Sequence, residues 1–152
     1  MNKRRQMKSA ARFFAVQALF QMEASDQTLD EVQRQFEGLR FGEQFDDYDM
    51  AEGNPKHFRV VTEQALTSQG PIDQMTDRAL VAKWPIARID PTLRALFRAA
   101  GAELMIGDTP PRVVITEYVD VAKAFFPDGK EPKFVNAVLD HMAREALPEA
   151  FS

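Results

Sequence analysis

The 152-residue sequence predicts an all-α fold of about seven helices. Apolar residues recur at i, i+3, i+4 and i+7 in one segment after another, the spacing of a single buried helix face. The breaks between segments are helix punctuation: N-cap residues followed by Pro, and Gly or Pro-Asp-Gly stops. No run alternates apolar and polar residues, so no half-buried strand is predicted.

The first helix is predicted from Ser9, a suitable N-cap, with Phe13, Val16 and Phe20 as its buried stripe and Ala10 and Gln17 between them. After a turn at Ser25-Asp26-Gln27, Thr28 and Glu31 form a capping box. That box opens a short helix carrying Leu29, Val32 and Phe36, stopped near Gly38. Residues 39–54 lack an apolar period, and their segment 43–52 reads as an acidic loop. Asn54-Pro55 starts a helix presenting Phe58, Val61, Ala65 and Leu66, which ends at Gly70. Pro71 restarts a helix through Ile72, Met75, Ala79 and Leu80, and Trp84-Pro85-Ile86 links the two halves.

Asp90-Pro91 opens the second half, with Leu93, Leu96, Phe97, Ala100 and Leu104 as the stripe. Gly101 inside this helix either lets another helix approach closely or is merely tolerated. Gly107 to Pro111 is a hard break. Val113 to Thr116 has strand composition, but the apolar period continues helically to Phe125 and no partner strand exists, so a helix is predicted. Pro127-Asp128-Gly129 is a turn. Pro132 opens a last helix bearing Phe134, Val135, Val138, Leu139 and Met142, ending before Pro148. The predicted organisation is a flexible basic arm over residues 1–8, an N-terminal helical half over 9–83 and a C-terminal half over 86–147, two small bundles sharing one core.

Charge is segregated along the chain. Residues 1–22 carry +5, and the remainder carries 14 basic against 23 acidic side chains, or −9. The absence of Cys excludes disulfides and thiolate chemistry and fits a reducing compartment. Arg4-Arg5 before an apolar run loosely echoes an export signal, but Arg12 and Gln17 interrupt that run and no small-residue cleavage site follows. No stretch reaches the roughly 18 apolar residues of a membrane span, so a cytoplasmic protein is predicted.

Catalytic patterns are missing. His57 and His141 lie in separate predicted helices without a metal-binding spacing, and no phosphate loop or nucleophile elbow is present. Asp46-Asp47-Tyr48-Asp49 lacks the spacing of a calcium loop. No enzyme activity, cofactor or metal is expected. Nucleic-acid binding is the remaining signal. Lys3, Arg4, Arg5, Lys8 and Arg12 are candidates for phosphate contact or base stacking, with the acidic body limiting non-specific binding. Lys130 to Phe134 is a second basic cluster at a helix N-terminus, where anions are favoured. Phe134 there is either a stacking platform for an unpaired base or a core residue of its own helix.

The string Arg12-Phe13-Phe14-Ala15-Val16-Gln17-Ala18-Leu19-Phe20 resembles the first helix of the NusB transcription antitermination factors. So do Val121 to Phe126 followed by Lys133-Phe134-Val135-Asn136-Ala137-Val138-Leu139-Asp140, and the Asp108-Thr109-Pro110 break before Val114 to Glu117. The resemblance covers nearly the whole chain. It implies two three-helix bundles plus an extra helix and a non-enzymatic role. That role is to bind boxA RNA of nascent rRNA transcripts with the ribosomal protein NusE, helping RNA polymerase read through terminators. It maps the family's arginine-rich start onto Arg4, Arg5, Lys8 and Arg12, and its RNA-proximal Lys-Phe onto Lys133 and Phe134. The chain departs from the family in having Thr116-Glu117-Tyr118 for Asn-Glu-Ala and a longer acidic loop over 43–52. That loop is expected to contact the basic arm when RNA is absent. A protein-only helical adaptor is the alternative.

Overall fold

A computed structural model describes residues 3–37, 54–83 and 89–151, with the backbone alone at residues 3–5 and 83. The acidic loop 43–52 and the Trp84 link lie outside the described residues. Among the described residues, seven α-helices run in the order α1 (Lys3–Ser25), α2 (Leu29–Phe36), α3 (Pro55–Thr67), α4 (Gln69–Lys83), α5 (Pro91–Ile106), α6 (Pro111–Phe125) and α7 (Glu131–Ala146). A short 3-10 turn over Pro148–Phe151 follows, and no strand occurs among the described residues. No described helix is long and apolar enough to cross a membrane.

The helix starts follow the local chemistry. The Thr28 hydroxyl accepts from the Glu31 N–H while the Glu31 carboxylate accepts from the Thr28 N–H, the reciprocal box that opens α2. Asn54 accepts from the His57 N–H at 2.9 Å and Asp90 from the Thr92 N–H at 2.7 Å, each just before a Pro that occupies the first helical position. Gly107 closes α5 in the left-handed region at φ 79°, which glycine adopts without Cβ strain.

Two boundaries differ from the sequence reading. α1 begins at Lys3 rather than Ser9, so the backbone of residues 3–8 is helical, and Ser9 donates to Glu117 at 2.9 Å instead of capping. Between α3 and α4 the break falls at Ser68, and Gly70 and Pro71 lie in the first turn of α4. Proline is tolerated there because a first-turn N–H has no helical acceptor to lose.

α1 lies against α2, α3, α5 and α6, so it is enclosed on several sides. Its buried face is accordingly Ala11, Ala15, Val16, Ala18 and Leu19, where small side chains let the neighbouring backbones come close. Phe20, expected in the stripe, is 38% exposed, and Phe13 is half-buried in a stack on Phe125 at 4.9 Å. Leu66 and Val113 also face solvent. The stripes of α4, α5 and α7 are otherwise buried as their periodicity predicts, with Phe134 half-buried. α4, grouped by the sequence reading with the first half, packs chiefly on α5 and α7. Gly101 is the reason these helices close up: a Cβ there would lie 2.6 Å from Ile72 Cγ2 and 3.4 Å from Met142 Cε.

Candidate nucleic-acid interface

Arg12 is not at the surface. It is 3% exposed, and its Nε and Nη2 donate to the Glu103 carboxylate at 2.7 and 3.2 Å. Nη1 lies 3.5 Å from Glu117, and Tyr118, fully buried, donates to Glu103 at 2.6 Å. His57 Nε2 stands 3.1 Å from the other Glu103 oxygen. Burial alone pushes the Glu103 carboxyl upward, but the contacts from His57 and Arg12 overcome it and hold the group at about 2. The Tyr118 hydroxyl is driven well above its ordinary range by burial and then by the adjacent Glu103 charge. Arg12 therefore leaves the set of RNA-contact candidates: its guanidinium is spent on tying α1 to α5 and α6. Sequence shows a cation in a basic run but not the carboxylate 91 positions away that neutralises it.

The remaining described cations divide by type. Arg34, Arg59, Arg78, Arg94, Arg98 and Arg144 each pair with a carboxylate within 3.1 Å. Arg112 sits over the Phe151 ring at 4.9 Å. Lys123 is 3.8 Å from Asp120. Lys8, Lys56, Lys130 and Lys133 have no carboxylate partner among the described residues.

These four lysines form two neighbourhoods. Met7 C=O accepts from the Asn54 N–H at 3.0 Å, which pins the start of α3 to α1 beside Lys8 and brings in Lys56. Lys3, Arg4 and Arg5 precede Lys8 on the first turns of α1. Lys130 and Lys133 stand exposed at the start of α7, where Phe134 is half-buried, its ring in an edge-to-face contact with that of Phe97 at a centroid separation of 6.0 Å. The α7 N-terminus is less open to an outside anion than its sequence suggests, because the Glu131 side chain folds back over Gly129.

Lys56 is the cation that sequence reasoning missed. Its signal was there: a lysine in the first turn of α3, with no acid beside it, stands at the positive end of the helix, where cations are disfavoured. Among the described residues no group of three or more His, Asp or Glu side chains is placed to hold a metal ion.

The molecule is thus a helical scaffold with a buried ionic knot and, at two surface positions, lysines that have no carboxylate partner among the described residues. A model of the NusB family matches residues 9–144. The chain is 42% identical over 158 aligned positions to the transcription antitermination protein NusB of Granulibacter bethesdensis, covering 100% of this chain and 96% of that one. It is 42% identical to the same-named protein of Brucella abortus, covering 90% and 80%. Among solved structures it is similar to T. maritima NusB (TM-score 0.68, 29% identity, 99% and 97% covered). It shares the fold of an antitermination factor NusB solved with NusE and double-stranded RNA (TM-score 0.72, 22% identity, 95% and 99% covered). The chain belongs to the NusB family.

Proposed function

We propose that this protein is a transcription antitermination factor that binds boxA RNA of nascent rRNA transcripts together with the ribosomal protein NusE. The assembly supports processive elongation by RNA polymerase in the cytoplasm. The observation that carries the reading is family membership across residues 9–144. Relatives at 42% identity bear the antitermination name, and a protein of the same fold was solved with NusE and RNA.

The protein's own part is electrostatic positioning. Lys3, Arg4, Arg5 and Lys8, on the leading turns of α1, contact phosphates, and Lys133 does so from the start of α7. Phe134 offers its exposed portion to an unpaired base while the rest of the ring stays on Phe97. The −9 balance of the chain beyond residue 22 discourages non-specific polyanion binding.

Fluorescence anisotropy with a single-stranded boxA RNA and a scrambled RNA of equal length, with and without NusE, tests the reading. The expected outcome is preference for boxA, enlarged by NusE. Equal affinity for both RNAs in both arms would instead favour a helical adaptor docking through charge alone.

A further inference from the structure

A cavity of about 560 Å³ opens where the N-terminal part of α1, the first turns of α3 and the α5–α6 turn meet. Its size is that of clefts that hold small organic groups. Lys8 and Lys56 stand on its lining, one from α1 and one from α3. The 3.0 Å bond from Asn54 N–H to Met7 C=O fixes the separation of these two helices, and neither lysine has a carboxylate partner among the described residues. Val60, 40% exposed, and Ile106 give it apolar wall, and Asp108 and Thr109 give it polar edge from the turn that Gly107 closes. Glu103 also lines it, ionised and held by Arg12.

We propose that this cavity seats one nucleotide of the bound RNA, its phosphate bridged by Lys8 and Lys56 and its base laid against Val60 and Ile106. The proposal rests on the RNA-binding reading above and adds a site to it. The sign of the charges sets the orientation. Two lysines attract a phosphate, whereas the carboxylates of Glu103 and Asp108 repel one, and the exposed Asp108, unlike the buried and fully engaged Glu103, accepts hydrogen bonds from base N–H groups. A neutral base therefore takes the part near the carboxylates and the phosphate the part near the lysines. Lys56 at the positive end of α3 is unfavourable in the free protein, and a bound phosphate would relieve that cost.

Anisotropy titrations of the full chain with labelled single-stranded boxA RNA, and with the same RNA carrying one abasic site at each position in turn, test this. Wild type should show one abasic position whose sensitivity Val60→Trp abolishes, because the indole fills the base site. Lys56→Ala should bind several-fold more weakly, with the slope of log affinity against log salt shallower by about 0.7, the value of one single-strand phosphate contact. Both positions are exposed, so thermal melting should be unchanged. If Lys56→Ala keeps the wild-type slope while Arg4→Ala/Arg5→Ala loses it, RNA lies elsewhere and the cavity proposal fails with the RNA-binding reading intact. Competition by polyglutamate as effective as by RNA would also overturn it, since a sink for any anion needs no base site. Absence of binding to any RNA, with NusE present, overturns both.

Discussion

Glu103 is 2% exposed and accepts from Arg12 and Tyr118, with His57 against its second oxygen, so four elements of the fold meet at one carboxylate. A buried ion pair is expensive to break from one side, because the survivor remains as an uncompensated charge. Arg12→Ala should therefore cost about 3–5 kcal/mol of stability in a denaturant titration, and a change near zero would show that the pair is slack. The pH dependence follows from the same group. Its folded value, about 2, lies below the ordinary carboxylate range, so the stability it contributes is fully present above about pH 4.5 and is lost as pH falls toward 2. Tyr118 acts at the opposite end: its raised value makes the folded state less tolerant than the unfolded one of alkaline pH, and stability declines above about pH 10. Glu103→Gln should flatten the acid limb of a stability–pH profile; an unaltered limb would place the acid sensitivity elsewhere. None of this was legible in the sequence. Tyr118 stands where the family pattern has Ala, and only the fold reveals that its hydroxyl reaches Glu103.

At the scale of the element, α1 and α5 make the same point in two ways. Periodicity identifies both as helices, yet it locates the buried face of α5 correctly and that of α1 only in part. The α5 stripe is made of large side chains, which announce themselves. In α1, enclosed by four neighbours, the buried face is mostly alanine, and alanine does not distinguish burial from simple helix preference. Gly101, left ambiguous by sequence, is resolved by Ile72 Cγ2, 2.6 Å from the Cβ that glycine lacks. Gly101→Ala gains up to about 1 kcal/mol in helix propensity but forces a stiff β-branched side chain to move, an overpacking cost of about 1–3 kcal/mol. The melting temperature should fall. A rise would mean that α4 and α5 separate freely.

Over the whole molecule, the separation of an acidic body from a cationic start is visible in the sequence. What it conceals is that each arginine whose side chain is described lies against a carboxylate or an aromatic ring of the fold, while four lysines have no carboxylate partner among the described residues. That division depends on which carboxylates fold up beside which cations, often tens of positions apart. The proposed RNA-binding surface is then the leading turns of α1, joined by Lys56, and the start of α7. The proposed role requires that the cations at the start of α1 hold single-stranded RNA without helping to hold the fold. The most direct measurement compares wild type with Arg4→Ala/Arg5→Ala for affinity to boxA RNA across a salt series, beside their melting temperatures. The double variant should bind several-fold more weakly, with a log–log salt slope shallower by about 1.4 and an unmoved melting temperature. Unchanged affinity and slope would contradict that role.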